Sequence, residues 1–256
     1  MTATTLDLGT KFLQATRQDG VLRVVINRPE RKNAFTADIY RGIKRAAVLA
    51  DADPDIDVLL LTGAGDVFCS GGDMGSKPES DDFEREPDPI DWLPYRHLER
   101  CSKVVITMVN GLCYAGGMVL VLCSDIAVAA DRATFRAPEL LRGIADTLLS
   151  ARLPKQVGMA RAKYLILTAA TIDAAEAERI GLIAKVVPAV ELEATVARIV
   201  EQVRATGPGA RAALKRDMNA QLPAFDLATF SQSTRSREMQ EGIQAFLEKR
   251  PPRWPR

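Results

Sequence analysis

The sequence predicts an α/β fold with a helical tail, and three features support this prediction. Short apolar runs typical of strands alternate with segments of helical spacing in the first part of the chain. Two glycine-rich turns follow such runs and lead towards helical patterns. From Ser150 to the C-terminus helical patterns dominate, apart from a strand predicted near 183–187. We therefore expect an α/β core followed by helices.

Composition and charge exclude several classes of protein. The 256 residues are 47% hydrophobic and 26% charged, near the averages for soluble globular proteins. The net charge of +1 provides no global field for nucleic acid or an anionic membrane, so any anion site must be local. No apolar run approaches the roughly 20 residues that a membrane span needs. The polar first twenty residues resemble no secretion signal, which favours a cytoplasmic location. Four cysteines without a CxxC pair, and one histidine, argue against zinc and a disulfide framework.

The first elements follow from apolar patterning and from turn residues. Val21–Asn27 alternates and is rich in β-branched residues, which predicts a strand. Thr36 can cap a helix that runs to about Asp51, with apolar residues at helical spacing. Asp57–Thr62 is nearly continuously apolar, so we expect a buried strand that leads into the glycine-rich stretch Gly63–Gly75.

The middle of the chain begins with an irregular segment. Ser76–Leu93 is rich in proline and acidic residues, which predicts a loop or an irregular helix. Regular patterns then resume. Strands are expected at Val104–Val109, Ile126–Ala130 and Ala133–Arg136, and a helix is expected from Gly116 to about Ser124.

The two glycine-rich turns are the candidate site. Cys69-Ser70-Gly71-Gly72-Asp73 follows one buried strand, and Ala115-Gly116-Gly117 follows the next and opens a helix. A backbone N–H can stabilise an oxyanion only where no side chain blocks the ligand, and a helix N-terminus adds unpaired N–H groups. The alternative is that these glycines merely serve tight turns. The sequence lacks a GxSxG elbow and a GxGxxG turn after the first strand, which disfavours a serine hydrolase and a Rossmann fold.

Several segments together resemble the crotonase (enoyl-CoA hydratase/isomerase) family, in the family order and at family-like spacing. They are Asn27-Arg28-Pro29 to Asn33-Ala34, Phe68 to Met74, Asn110-Gly111 to Asp125, Pro138-Glu139, and the tail Glu241 to Arg250. The resemblance implies a spiral of ββα units over residues 1–195 and a helical trimerisation region over 196–256. It also implies a homotrimer or a dimer of trimers.

The resemblance also implies a chemistry and a set of site residues. Gly72 and Gly116 match the oxyanion-hole positions that hold the thioester oxygen of an acyl-CoA while an enolate forms. Glu139 matches a catalytic glutamate, although a surface glutamate at a helix start is the local alternative. Coenzyme A is then part of the substrate, and no permanently bound cofactor or metal is expected.

Coenzyme A contacts are carried over in the same way. Arg31 and Lys32 match the loop that meets the nucleotide, although a basic loop is more often only a solvated charge. A cationic pair is nevertheless what the phosphates of coenzyme A need in a neutral protein. Further matches are Ser70, Gly72, Asp73 and Met74 on the adenine and pantetheine path, and Phe230 and Lys249 as contacts from a neighbouring subunit's tail.

One departure from the family pattern bears on the reaction. Hydratases of the family carry a second glutamate where this chain has Val119, and adding water to a C=C bond benefits from two carboxylates. A double-bond shift needs proton removal at one carbon and delivery at another, which one carboxylate can perform. We therefore favour an enoyl-CoA isomerase over a hydratase. A catalytically degraded CoA-ester-binding protein is a third alternative.

Asp146 is a second candidate acid or base. Dienoyl-CoA isomerases have an aspartate shortly after the glutamate that matches Glu139, although this chain is one residue shorter there. The local alternative is that Asp146 only caps a helix that begins near Thr147. The sequence leaves both roles open.

Overall fold

The computed structural model describes residues 3–73 and 93–255. Its main sheet has the strand order β1-β2-β3-β4-β6-β8-β11, with the first three strands antiparallel and the others parallel. These strands are β1 (Thr4–Leu6), β2 (Leu13–Gln18), β3 (Val21–Ile26), β4 (Val58–Gly63), β6 (Val104–Val109), β8 (Ile126–Ala130) and β11 (Lys185–Val187).

Both faces of the main sheet are covered, which explains the unbroken apolar run of β4. All six residues of β4 are buried, as expected for a central parallel strand. Leu59 and Leu61 belong to the larger core, which includes helix α1 (Ala37–Ala52). Val58 and Leu60 face a smaller core that is covered by helix α7 (Leu192–Arg204).

Four short strands form a second sheet, which packs against the main one where β5 meets β4. Its order is β10-β9-β7-β5, and β5, β7 and β9 are parallel, whereas β10 is antiparallel. The strands are β5 (Val67–Cys69), β7 (Leu112–Tyr114), β9 (Thr134–Arg136) and β10 (Thr171–Asp173). Of these four strands the sequence analysis predicted β9 alone.

The described residues also form ten α-helices. The remaining ones are α2 (Tyr95–Arg100), α3 (Gly116–Leu122), α4 (Thr147–Val157), α5 (Met159–Thr168), α6 (Ala174–Arg179), α8 (Pro208–Ala220), α9 (Leu227–Ser233) and α10 (Arg237–Leu247). Thr36 caps α1 as predicted, because its side-chain oxygen accepts from the Ile39 N–H at 3.2 Å. Within the described ranges no helix is long and apolar enough to cross a membrane.

Two ion pairs attach the helical tail to the core. The Lys215 ammonium of α8 lies 2.7 Å from the Asp125 carboxylate and donates to the main-chain oxygens of Leu98 and Lys103. Arg152 of α4 forms a two-point pair with Glu99. Such charges are tolerated away from water because they are fully hydrogen-bonded.

Candidate active site

Three neighbouring strands of the second sheet deliver the proposed catalytic groups to one edge. Because β5, β7 and β9 are parallel, their carboxyl ends lie side by side. Gly72, Gly116 and Glu139 each follow one of these ends within three residues. The sequence analysis attached the glycine turns directly to the long buried strands, which was wrong. The short strands β5 and β7 intervene and belong to a different sheet.

Gly72 presents its N–H away from its strand partner. The Phe35 N–H donates to the Gly71 oxygen, and the Asp73 N–H donates to the Phe35 oxygen, both at 2.8 Å. In such a parallel bridge the N–H of the central residue points to the opposite side. Within the described residues this N–H donates to no backbone acceptor. It is therefore available to a ligand.

Gly116 is the first residue of α3, so its N–H has no acceptor within the helix. A Cβ placed on Gly116 would collide with the Tyr40 hydroxyl and would lie 3.3 Å from the Tyr95 hydroxyl. A Cβ on Gly72 would lie 3.8 Å from the same Tyr40 oxygen. The two glycines therefore both lie beside the Tyr40 hydroxyl, close enough together to be candidates for one oxyanion hole.

Glu139 begins a 3₁₀ turn, Glu139–Arg142, and is only 9% exposed. Its Oε2 atom is buried and has no hydrogen-bond partner within the described residues. Burial, as the main cause, and repulsion from Asp146, as the second, raise the pKa of Glu139 to about 8. A carboxylate that is difficult to ionise is a strong base once the proton leaves, which suits proton transfer near neutral pH.

Asp146 is a helix cap that also lies near Glu139. It caps α4, because its Oδ1 accepts from the N–H groups of Leu148 at 2.9 Å and Leu149 at 3.1 Å. It also lies close enough to Glu139 for its charge to raise the pKa of that residue. Burial raises the pKa of Asp146 itself, and the two capping N–H groups partly offset this effect. The Asp146 side chain is therefore both the cap of α4 and a second carboxyl group near Glu139.

Val119 lies one turn into α3 from Gly116 and is fully buried in the larger core. Its side chain has no acidic or basic group, so it cannot hold or deprotonate water. The carboxyl groups that the structure brings together near the glycines are those of Glu139 and Asp146.

The expected coenzyme A residues of the first loop lie beside the Gly72 turn. The Ser70 N–H donates to the Lys32 oxygen at 3.1 Å, and the side chains of Arg31 and Lys32 are exposed. Asp73 forms a 2.7 Å ion pair with the largely buried Arg28, so its carboxylate braces the turn. Met74, and the predicted irregular segment up to residue 92, lie outside the described residues.

The two tail residues expected to contact coenzyme A lie elsewhere in this single chain. Phe230 is in α9, and the exposed Lys249 follows α10. Within the described ranges no hydrogen bond, ion pair or ring contact joins either of them to Arg31 or Lys32. Their expected role belongs to a neighbouring subunit, and a single chain does not test it.

The same tail also contacts the segment around Asp146. The Ser233 Oγ of α9 accepts from the Ala145 N–H at 3.1 Å, and the Thr147 hydroxyl donates to the Asp226 oxygen at 2.8 Å. These contacts flank Asp146 on both sides. The position of the carboxyl pair therefore depends on helices that follow it in sequence by roughly eighty residues.

Tyr40 and Tyr95 are site residues that the sequence analysis missed. They come from α1 and α2, and their hydroxyl groups are hydrogen-bonded to each other. Their rings meet edge to face at 6.1 Å. Neither residue lies in a glycine turn or next to a carboxylate in sequence, so no local signal identifies them.

Similarity to known proteins decides the family of this protein. Residues 16–256 match the family model described as enoyl-CoA hydratase/isomerase. The chain belongs to the enoyl-CoA hydratase/isomerase family. Its crotonase-type α/β fold, expected from the sequence, is confirmed by solved structures of the family.

Three similar proteins illustrate the range of this enoyl-CoA hydratase/isomerase family. A crotonyl-CoA hydratase from Syntrophomonas wolfei is 34% identical over 249 residues, covering 91% of this chain and 94% of that protein. An enoyl-CoA hydratase/isomerase from Pseudoalteromonas atlantica is 29% identical with a TM-score of 0.85, covering 96% and 100%. A monofunctional enoyl-CoA isomerase from M. smegmatis is 32% identical with a TM-score of 0.72, covering 87% and 99%. The family acts on CoA thioesters, and its named members include both hydratases and isomerases.

Proposed function

We propose that this enzyme shifts the C=C bond of an enoyl-CoA, with Glu139 as the proton carrier. The observation that carries the proposal is the buried Glu139 carboxyl group, with its raised pKa, near the Tyr40 hydroxyl that Gly72 and Gly116 both adjoin. Val119 stands where a hydratase would be expected to have its second glutamate. The similarity to a monofunctional enoyl-CoA isomerase adds support.

In the proposed reaction the thioester oxygen of a 3-enoyl-CoA accepts hydrogen bonds from Gly72 and Gly116. The Glu139 carboxylate removes a proton from C2, and the electron pair moves into the thioester to form a dienolate. The glutamic acid then gives its proton to C4, which yields the 2-enoyl-CoA. The N–H groups stabilise the charge as it develops on oxygen, because their orientation is fixed before the reaction.

Hydration of a 2-enoyl-CoA is the second candidate, since similar curated proteins carry hydratase names. The position of Asp146 specifically favours it. Asp146 could supply the second carboxyl group that Val119 does not, so that the pair holds and deprotonates a water molecule.

Turnover by purified protein decides between these functions. A 3-enoyl-CoA and a 2-enoyl-CoA are each supplied to the wild type, E139Q and D146N, and products are followed by mass. Isomerisation that E139Q abolishes and D146N largely retains supports the proposal. Incorporation of ¹⁸O-labelled water that either variant abolishes supports the hydratase. Tight binding of both esters without turnover indicates a CoA-ester-binding protein and contradicts both enzymatic functions.

Coenzyme A recognition completes the proposal. Arg31 and Lys32 would contact the phosphates, Ser70, Asp73 and Met74 would border the adenine and pantetheine path, and Phe230 and Lys249 of a neighbouring subunit would close it. The exposed cations of the first loop support this arrangement. A charge reversal, K32E, should weaken CoA-ester binding and leave kcat nearly unchanged.

We also propose that residues 196–256 contribute to a homotrimer or a dimer of trimers. Large apolar side chains remain exposed in this single chain, including Leu214 and Met218, one turn apart on α8. Such a stripe is typical of an interface. Light scattering measures the mass directly, and a monomeric wild type would contradict this part of the proposal.

A further inference from the structure

Two tyrosine hydroxyls lie against the oxyanion-hole glycines. A Cβ on Gly116 would overlap the Tyr40 hydroxyl, and a Cβ on Gly72 would lie 3.8 Å from it. The Tyr95 hydroxyl would lie 3.3 Å from the same Cβ on Gly116. Tyr40 therefore places a hydroxyl beside both of the glycines whose N–H groups would hold the thioester oxygen.

The Tyr40 ring is held from two sides. The Phe35 ring meets it edge to face with centroids 5.0 Å apart, and the Tyr95 ring does so at 6.1 Å. Phe35 is itself fixed by its backbone bonds to the Gly72 turn. The hydroxyl and the oxyanion-hole N–H groups are thus parts of one rigid cluster, which is the condition for a preorganised donor.

The hydroxyl groups of Tyr40 and Tyr95 both keep their protons, so each can serve as a hydrogen-bond donor. Burial raises both pKa values well above that of a free phenol, and Glu139 and Asp146 contribute for Tyr40. Both groups therefore stay neutral and keep their protons at physiological pH.

We propose that Tyr40 is a further catalytic residue that donates a hydrogen bond to the substrate thioester oxygen, beside the N–H groups of Gly72 and Gly116. Tyr95 acts as a positioning residue, because its ring packs edge to face against that of Tyr40 and the two hydroxyl groups are hydrogen-bonded. This inference rests on the acyl-CoA site of the proposed function but not on which reaction follows. A third donor strengthens enolate stabilisation whichever reaction the carboxyl groups perform.

The first test uses Tyr40→Phe, which removes one oxygen and retains the packing of the ring. Removing one oxyanion donor lowers kcat by about 10² to 10³ in other enzymes, and we expect a loss of ~10-fold to 10³-fold here with a much smaller change in KM. Tyr95→Phe should lose less, because the donor remains but is less well positioned. Tyr164→Phe, on the exposed face of α5, is the matched control and should match the wild type.

The second test observes the thioester carbonyl without turnover. A conjugated, unreactive enoyl-CoA analogue is bound, and the C=O stretch is recorded by difference infrared spectroscopy with a ¹³C label at the carbonyl. The C=O stretch should shift furthest to low frequency in the wild type and in Y164F, which keep all three donors. The shift should be smallest in Y40F and intermediate in Y95F. A structural role alone would not produce this order.

The outcomes separate this inference from the proposed function. An unchanged carbonyl frequency in Y40F overturns the inference, even if kcat falls. A reduced shift in Y40F supports it, even if the wild type performs neither isomerisation nor hydration, in which case only the proposed function fails. Where Y40F does not fold, Y95F takes its place, and an unchanged frequency in that variant overturns the inference.

Discussion

Gly242 of α10 packs directly against the main chain of Arg142, the last residue of the turn that begins with Glu139. A Cβ on Gly242 would lie only 2.5 Å from the Arg142 carbonyl carbon. The contact is reciprocal, because a Cβ on Gly143 would lie 2.6 Å from the Glu238 oxygen and from the Met239 nitrogen. The Arg142 guanidinium also stacks over the Phe246 ring at 4.0 Å. The terminal helix therefore packs directly on the turn that carries Glu139.

Gly242→Ala should separate α10 from this turn. The added methyl group has main-chain atoms as its neighbours, which cannot rotate away, so the backbone must shift at a cost of about 1–3 kcal/mol. We expect kcat to fall more than KM rises, because Glu139 moves relative to the oxyanion hole. Thermal unfolding and steady-state kinetics measure both effects.

The control for that prediction is Gly209→Ala. Gly209 lies in α8 with no atom within 4 Å of an added Cβ. This substitution should leave kcat unchanged and keep or slightly raise stability, as a glycine in a helix usually does when replaced by alanine. Equal losses in both variants would contradict the proposed role of the Gly242 contact.

The rate should depend on the ionisation of Glu139. Its pKa is raised to about 8, so the base form accumulates as pH rises through that value, and kcat/KM should rise with it. Asp146 contributes repulsion that raises this pKa, so D146N should move the rising limb to lower pH. If kcat/KM rises at the same pH in D146N as in the wild type, the two carboxyl groups do not interact. Y164F serves as the unaffected reference.

Stability should depend on pH through the same residue. The folded state holds a proton on Glu139 up to about pH 8, whereas the ordinary pKa of 4.5 applies to the unfolded chain. The unfolded chain therefore binds fewer protons between these values, so stability falls as pH rises through this window. E139Q removes the effect. At pH 9 it should be more stable than the wild type by up to about 5 kcal/mol, and at pH 4 the two should be alike. Chemical unfolding at both pH values tests this, and a constant difference would contradict it.

The cysteines should be chemically inert in the folded protein. All four are buried, and burial raises the pKa of each thiol. Cys69, next to the oxyanion hole, accepts the Gly71 N–H at 3.2 Å and contacts Gly117. We expect no rapid labelling by a thiol reagent before denaturation, and we expect C69S to retain activity. Rapid loss of activity on labelling would instead favour Cys69 as a nucleophile.

Long elements with strong patterning could be predicted from the sequence. The bounds of β6 and β8 match the predictions, and those of β3, β4 and α1 differ by a residue at one or both ends. The hairpin of β1 and β2 was missed, because edge strands in a polar segment lack a continuous apolar signal. The three-residue strands β5, β7 and β10 were missed, whereas β9 and β11, which are equally short, were predicted.

By itself the sequence determined the chemistry available to this protein. The glycines of two turns, Glu139 and the absence of a carboxylate at position 119 define an acyl-CoA site in the family pattern, because each is a local choice of residue type. Only the tertiary structure decided how these groups meet. Tyr40, Tyr95 and Gly242 lie far from Glu139 in the chain but contact the glycines or the turn that begins with Glu139, and Asp146 is both a helix cap and a neighbour of Glu139. Sheet pairing and helix packing bring such residues together, and a sequence pattern does not encode those distances.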